Sequence, residues 1–187
     1  MAGWLSLSGN KRRITPKDDI QYFVPQEIID FTIGILLEYG NQYPPSEGIV
    51  YWAGRHHKTQ WQICAAIAPA VEASRHGFQT GYNSNAQFVS FICDHDLQYV
   101  CQVHSHPSTW VDHSSVDDKE TAFRSEGLLS IVVPTFGRSG IFPLKQCGVH
   151  IHTKGSFKRL TNKYLGNHFH TGQIYPIPII LKDFRHE

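Results

Sequence analysis

The chain has 187 residues, a length typical of one domain rather than two. Hydrophobic residues make up 41% and charged residues 18% of it, so the composition excludes a disordered polyelectrolyte. The formal net charge of +1 argues against a protein whose main task is to bind nucleic acid or anionic lipid. No apolar run approaches the ~20 residues needed to cross a bilayer. Because no secretory signal precedes the cysteines, we expect a cytoplasmic protein with reduced thiols.

The first part of the chain predicts a helix and a hairpin. Pro25 suits the first turn of a helix, and apolar residues follow it at helical spacing as far as Gly40. Two apolar segments, 47–54 and 60–69, then predict a β-hairpin. The basic stretch 55–58 separates them and is expected to be its solvated turn.

The rest of the chain predicts two more helices and three more strands. Asn83 or Ser84 is expected to cap the second helix. Asp117 and Asp118 are expected to open the third, which Gly127 would end. Strands are expected at 99–104, 128–134 and 148–153. Helices and strands that interleave without a regular β-α-β alternation favour a mixed α/β (α+β) domain, with helices on both faces of a mixed sheet.

Twelve histidines are unusual in a chain of this size, and six of them form H-x-H pairs. The pairs are His104/His106, His150/His152 and His168/His170. On a strand, residues i and i+2 point to the same side, so each pair could offer two imidazoles to one metal ion. Only the first pair is soon followed by an acid at a predicted helix start, Asp117. Three protein ligands would leave one zinc position open for water, as in catalytic sites. The other two pairs are interpreted as structural.

Two other uses of the first pair have less support. A metallo-β-lactamase-type site would need an acid two residues after the second histidine, where Ser108 stands. A closed site with Cys101 as fourth ligand is disfavoured, because positions 101 and 104 fall on opposite faces of a strand. A cysteine-nucleophile protease is unsupported. The other cysteines are interpreted as small buried hydrophobic residues: Cys64, Cys93 and Cys147.

The ligand candidates resemble a known motif. The JAMM (MPN+) metalloprotease motif reads H-S/T-H, seven residues, S, two residues, D, and His104, His106, Ser114 and Asp117 stand in this register. The shifted pair Ser115 and Asp118 has the same internal spacing. The family spacing selects Ser114 and Asp117, which leaves Asp118 as an acid at a helix terminus.

The family also has a glutamate at the start of an upstream strand, seven residues before a glycine. Glu47 matches this position, because Gly54 stands at the required distance. Val50 departs from the pattern, since many relatives have a second glycine there. The resemblance covers roughly residues 22–153 and implies a single JAMM/MPN-like domain, with a curved mixed sheet flanked by helices as in cytidine deaminases. Residues 1–21 would then be an N-terminal arm, and 154–187 an extension packed on the domain.

The resemblance implies a zinc-dependent isopeptidase or peptidase that cleaves after the C-terminal glycine of a ubiquitin-like protein. His104, His106 and Asp117 would hold one catalytic Zn²⁺, Glu47 would be the general base and Ser114 would stabilise the oxyanion. Similar bacterial members are linked to ubiquitin-like conjugation and antiviral defence systems, so conjugates or precursors of such a modifier are the expected substrates. An additional partner subunit is compatible with this interpretation.

Two other functions stay open at this point: a non-catalytic MPN-type scaffold and a zinc hydrolase of small-molecule amides. Two further side chains lie in the ligand loop, the segment between His106 and Asp117, and each has two interpretations. His113 is expected to be an exposed loop residue rather than a support for the ligands. Trp110 is expected either to wall a substrate groove or to pack in the core.

Overall fold

Nine strands form one sheet in the part of the chain that the computed structural model describes, residues 13–16, 19–74, 77–114, 117–118 and 121–186. They are β1 (Gln21–Val24), β2 (Ile49–His57), β3 (Gln60–Ala68), β6 (Gln98–Ser105), β7 (Leu129–Val133), β8 (Gly148–Thr153), β9 (Ser156–Arg159), β10 (Phe169–Thr171) and β11 (Ile180–Asp183). A separate two-stranded sheet contains β4 (Glu72–Ser74) and β5 (Gly77–Gln79). The three strands expected after the second helix are confirmed as β6, β7 and β8.

The predicted hairpin is confirmed, but its turn is shorter than expected. β2 runs antiparallel to β3 and continues to His57, so residues 55–57 belong to a strand although they are exposed. Lys58 takes a positive φ of 55°, which lets the chain reverse within two residues. A β-bulge interrupts the pairing at Gly54, where a Cβ atom would lie 2.4 Å from the carbonyl oxygen of Gln62. Only glycine fits this close approach.

The sheet is mixed and curls into a half-barrel. Its strand order is β10-β1-β3-β2-β6-β7-β8-β9, and β11 also lies beside β3. β6 and β7 are parallel, whereas β2 with β6 and β7 with β8 are antiparallel. The C-terminal residues 154–187 contribute β9, β10 and β11 to this same sheet, and β1 lies between β10 and β3. The molecule is therefore a single mixed α/β domain.

Three α-helices accompany the sheet in the described residues: α1 (Gln26–Asn41), α2 (Tyr82–Asp94) and α3 (Asn162–His168). The first helix begins after Pro25 as predicted. The expected cap of α2 is wrong, because the helix begins after Gly81 and no side chain caps it. No helix in the described parts of the chain combines the length and the apolar character that crossing a membrane requires.

The predicted third helix is wrong beyond its first residues. Asp117 and Asp118 are helical, but residues 121–125 are irregular and a turn follows at Glu126 and Gly127. The ring of Phe123 instead packs edge-on against Tyr99 at a centroid distance of 5.3 Å. Burial of this aromatic side chain offsets the loss of helical hydrogen bonds.

The two faces of the sheet pack against different helices. We call them the α1 face and the α2 face, after the helix that each one packs against. On the α1 face, Trp52 is buried and its Nε1 donates a hydrogen bond of 2.8 Å to Thr32 of α1. On the α2 face, Tyr51 packs against Phe88 of α2. His104 lies on this second face, because it has the same strand parity as Gln102, which is paired with Tyr51.

Candidate metal centre

Two histidines lie at the carboxyl end of β6. His104 is paired with Ile49 of β2 and Val132 of β7, so it is held in the middle of the sheet. His106 follows directly after the strand, and its backbone N–H still donates to the carbonyl of Val133 at 2.8 Å. Both side chains are buried, and their ring centroids are 5.2 Å apart. The H-x-H pattern thus presents two imidazoles side by side.

Asp117 reaches this pair because a capping box fixes its segment. The Ser114 hydroxyl oxygen accepts a hydrogen bond of 3.0 Å from the Asp117 backbone N–H. The Asp117 carboxylate accepts in return from the Ser114 backbone N–H at 2.6 Å. This reciprocal pair is the S/T-x-x-acid arrangement that begins many helices. It turns the carboxylate of Asp117 towards the end of β6.

The three donor groups lie close enough together to bind one metal ion. Asp117 Oδ2 is 3.4 Å from His106 Nε2, and Oδ1 is 3.8 Å from His104 Nε2. All three potential ligand atoms lie within 4.8 Å of one another, and all three residues are buried. Ligands of a tetrahedral ion with bonds of about 2.0–2.2 Å are about 3.3–3.6 Å apart. A buried group of two histidines and one aspartate therefore fits a divalent ion such as Zn²⁺.

The protonation states of these groups favour metal binding. Burial lowers the pKa of His104 to about 3, so this imidazole is neutral at neutral pH. Burial alone would raise the pKa of Asp117, but the hydrogen bond with His106 and the proximity of His104 hold it well below its usual range. Burial would lower the pKa of His106, but Asp117 outweighs burial and raises it. At neutral pH, His104 and Asp117 thus have the protonation states that bind a metal ion.

The backbone and the ring of Trp110 hold His106 in place. His106 Nδ1 lies 2.9 Å from the Trp110 carbonyl oxygen, which leaves Nε2 directed towards Asp117. The indole stacks on the imidazole with a centroid distance of 5.2 Å and an interplanar angle of 13°. Trp110 is 49% exposed, so the core interpretation is wrong and its ring lines the surface next to the site.

Glu47 comes just before β2, and its carboxylate interacts electrostatically with His106. Its neighbour Gly48 donates a backbone hydrogen bond to the Ser105 hydroxyl at 3.1 Å, and Ser105 N–H donates to the Gly48 carbonyl at 3.0 Å. Ser105 stands between the two histidines in sequence. The half-buried Glu47 carboxylate is near enough to help raise the pKa of His106. A second acid thus lies within electrostatic range of one of the three ligand candidates.

The expectation that His113 is exposed is wrong. The residue is only 3% exposed, with Nδ1 at 3.0 Å from Asp118 Oδ1 and Nε2 at 2.8 Å from Ser130 Oγ. Ser130 lies 17 residues away on β7, so the local sequence around His113 could not reveal this partner. Asp118 contacts His113 rather than the ligand pair. Ser115, which belongs to the alternative register, lies outside the described residues.

The His150/His152 pair is buried on β8, but among the described residues it forms no metal-binding group with a carboxylate. Asp112 Oδ1 lies 3.8 Å from His150 Nε2, and the same oxygen accepts a hydrogen bond of 2.7 Å from Arg159. Burial lowers the pKa of His150 to about 2, and the nearby His113 and Arg159 act in the same direction. These features fit the structural interpretation of the pair.

The third histidine pair and the four cysteines do not belong to the group that could bind a metal ion. His168 Nδ1 is 2.9 Å from the Ile20 carbonyl, and His170 Nε2 is 2.8 Å from Gln21 Oε1, so this third pair helps to join β1 and β10. All four cysteines are free thiols. Three of them are buried, but the expectation for Cys93 is wrong, because it is exposed near the end of α2.

Comparison with known proteins adds information on the fold alone. No protein-family model and no curated protein sequence matches the chain. Among solved structures, the chain is similar to the solution structure of protein DSY2949 from Desulfitobacterium hafniense, with a TM-score of 0.52. The two sequences are 12% identical, and the match covers 89% of this chain and 99% of that one. The shared feature is therefore the arrangement of helices and strands.

Proposed function

We propose that the protein is a zinc-dependent isopeptidase or peptidase of the JAMM (MPN+) type, which cleaves after the C-terminal glycine of a ubiquitin-like protein. The observation that carries the proposal is the buried group of His104, His106 and Asp117 with Glu47 beside it. These are the residues on which the sequence resemblance rests, brought together from three separate segments. A curled mixed sheet with helices on both faces is compatible with the cytidine-deaminase-like domain of that family.

The three ligand residues would hold one Zn²⁺, with His106 kept in orientation by the carbonyl of Trp110. When bound, such an ion polarises a substrate carbonyl and makes a water molecule at the site more acidic. His104 is already neutral and Asp117 already ionised at neutral pH, so protons compete with the ion chiefly at His106, whose pKa Asp117 raises. Zinc binding is therefore expected to be weaker in acid.

Glu47 is the proposed general base. Its carboxylate would take a proton from the attacking water while the water oxygen bonds to the carbonyl carbon. The same carboxyl group would then deliver the proton to the leaving nitrogen as the C–N bond breaks, so the base is regenerated in each cycle. The two hydrogen bonds between Gly48 and Ser105 keep the segment of Glu47 against the end of β6.

Ser114 is the proposed donor to the developing oxyanion. The capping box with Asp117 fixes the position of its hydroxyl oxygen next to a metal ligand. A hydroxyl held in place before the reaction stabilises negative charge without a reorganisation cost, which is worth a few kcal/mol in comparable sites, about 3–4 kcal/mol for a single donor. Ser114 would thus act both on the structure of the ligand loop and on the reaction.

The test is to incubate the purified protein with a glycine-terminated ubiquitin-like protein fused to a second domain, with and without a zinc chelator. We expect cleavage at the glycine that the chelator abolishes. Glu47→Gln is expected to lose cleavage and to keep about one zinc per chain, since it leaves the three ligands intact. Glu27→Gln, on the exposed face of the first turn of α1, is the matched control and should cleave as the wild type does.

Substantial turnover by Glu47→Gln would contradict the role of Glu47 as base. Wild-type protein that binds zinc but cleaves none of a panel of ubiquitin-like fusions would contradict the proposed substrate and favour a hydrolase of small-molecule amides. Wild-type protein that neither binds zinc nor cleaves would favour the scaffold function.

A further inference from the structure

A row of buried polar side chains crosses the α2 face next to the candidate metal centre. Gln102, Ser130, His150 and Arg159 are paired in register on β6, β7, β8 and β9. The first three are at most 4% exposed. The proposed reaction uses none of these side chains. Because burial of polar groups is unfavourable unless they are hydrogen-bonded, such a row calls for a structural or functional explanation.

His113 connects this row to the segment that carries Asp117. Asp118 is the residue next to Asp117, and its carboxylate, which can only accept, receives a hydrogen bond from His113 Nδ1–H at 3.0 Å. In a neutral imidazole with that tautomer, Nε2 accepts from the Ser130 hydroxyl at 2.8 Å. Ser130 Oγ accepts in turn from Gln102 Nε2 at 3.0 Å. Each of these side chains therefore donates a hydrogen bond to the next one, in the order Gln102, Ser130, His113 and Asp118.

A second connection reaches the other side of Asp117. Gln102 Nε2 also donates to Thr121 Oγ1 at 3.4 Å, and the Thr121 hydroxyl donates to the Asp117 carbonyl at 2.6 Å. The backbone of the ligand is thus tied to the sheet through Gln102 and through His113. The His113 ring further packs against His150 at 4.4 Å and Phe157 at 4.6 Å, which restricts its rotation.

We propose that His113 is a positioning residue of the metal centre, which holds Asp117 at binding distance from His104 and His106 by linking Asp118 to Ser130. The proposal rests on the proposed function only in requiring that the three ligands bind a metal ion. His113 itself does not touch that ion. Its two ring nitrogens are engaged by Asp118 and Ser130, and its ring lies edge-on to that of His104 at a centroid distance of 5.8 Å.

The experiment measures the zinc affinity of the purified full chain by competition with a chromophoric chelator. His113→Ala is expected to bind zinc about 10- to 100-fold more weakly than the wild type, the range found when a supporting hydrogen bond of a metal ligand is removed. His113→Asn keeps a donor near the position of Nδ1 and should recover part of the loss. His152→Ala, a buried histidine of the same face, is the control and should stay within about twofold of the wild type.

Substitution of cobalt for zinc gives a second readout, because the visible absorption of Co²⁺ reports its coordination geometry. His113→Ala should change this spectrum, and His152→Ala should not. If His113→Ala does not fold, Asp118→Asn removes the charged acceptor at a side chain that is 41% exposed and should weaken zinc binding about threefold to tenfold.

Zinc affinity and cobalt spectrum unchanged in His113→Ala or, where that variant does not fold, in Asp118→Asn would overturn the proposal. An equal loss in His152→Ala would also overturn it, because the effect would then reflect general loss of packing. Wild-type protein that binds no zinc would overturn the metal site and this inference together. Wild-type protein that binds zinc but cleaves no substrate would overturn the proposed function and leave the role of His113 supported by the affinity data.

Discussion

Two histidine pairs of identical pattern lie on the same face of the sheet, separated by one strand. His104/His106 is on or directly after β6 and His150/His152 is on β8, and all four side chains are buried. The first pair has the Asp117 carboxylate at 3.4 and 3.8 Å. The second has Asp112 at 3.8 Å from His150, but this carboxylate is hydrogen-bonded to Arg159. Among the described residues, a candidate metal centre thus depends less on the H-x-H pattern than on a buried carboxylate close to both imidazoles.

The electrostatic states of the two pairs differ in the same way. Asp117 raises the pKa of His106 against the effect of burial. His150 has no such compensation, so burial, helped by His113 and Arg159, lowers its pKa to about 2. One pair therefore lies beside an anionic carboxylate, whereas His150 of the other pair is a neutral imidazole at neutral pH.

The largest difference between the pairs is expected in metal binding. His106→Ala removes one of three ligands and should weaken zinc binding by more than the roughly 100-fold upper range seen for supporting residues. His152→Ala, at the equivalent position of the other pair, should keep about one zinc per chain. Metal analysis of the two purified variants after dialysis measures the difference. Equal zinc content in both variants would remove the distinction between the pairs.

The second expectation concerns stability in acid, which the buried His150 lowers as the buried His104 of the other pair does. The folded-state pKa of His150, about 2, lies below the value of ~6.5 expected in the unfolded chain. Below pH 6.5 the unfolded state therefore binds a proton that the folded state does not. The free energy of unfolding should fall, by up to about 1.4 kcal/mol per pH unit from this residue alone.

His150→Asn removes this titration and leaves a neutral polar side chain. Urea unfolding between pH 5 and pH 7.5, with a chelator present so that metal binding does not contribute, should show a smaller loss of stability in acid for the variant than for the wild type. Equal pH dependence of the two proteins would contradict the assignment of a strongly lowered pKa to His150.

The smallest expected effect concerns the aromatic support of the first pair. Trp110→Ala removes the ring stacked on His106 but keeps the backbone carbonyl that faces Nδ1. Aromatic pairs are worth about 0.5–1.5 kcal/mol, so zinc affinity should fall about 2- to 10-fold. Trp110→Phe should recover most of the lost zinc affinity. If Trp110→Ala matched the wild type, the indole would serve only as part of the surface beside the site.

The local sequence predicts much of what lies in one stretch of chain. Short, mostly apolar segments predict β6, β7 and β8 within one residue at each end, and Pro25 marks the start of α1. The spacing from His104 to Asp117 also reflects local structure, since a strand end, a loop and a capping box bring these residues together. These features need no partner elsewhere in the chain.

Two of the wrong expectations concern residues whose environment is set by distant partners. His113 is buried because Ser130 and Phe157, on other strands, surround it. The third helix ends early because the ring of Phe123 packs into an aromatic cluster with Tyr51 and Tyr99. Neither contact leaves a periodic signal in the local sequence, so propensity and capping patterns alone could not predict them.

Diffraction from crystals of the zinc-loaded protein, recorded above and below the zinc absorption edge, tests the central claim most directly. The account predicts one anomalous peak per chain, within bonding distance of His104 Nε2, His106 Nε2 and an Asp117 carboxylate oxygen, with a solvent molecule as the remaining ligand. A peak at His150/His152 instead, or a fourth protein ligand at the first pair, would contradict it.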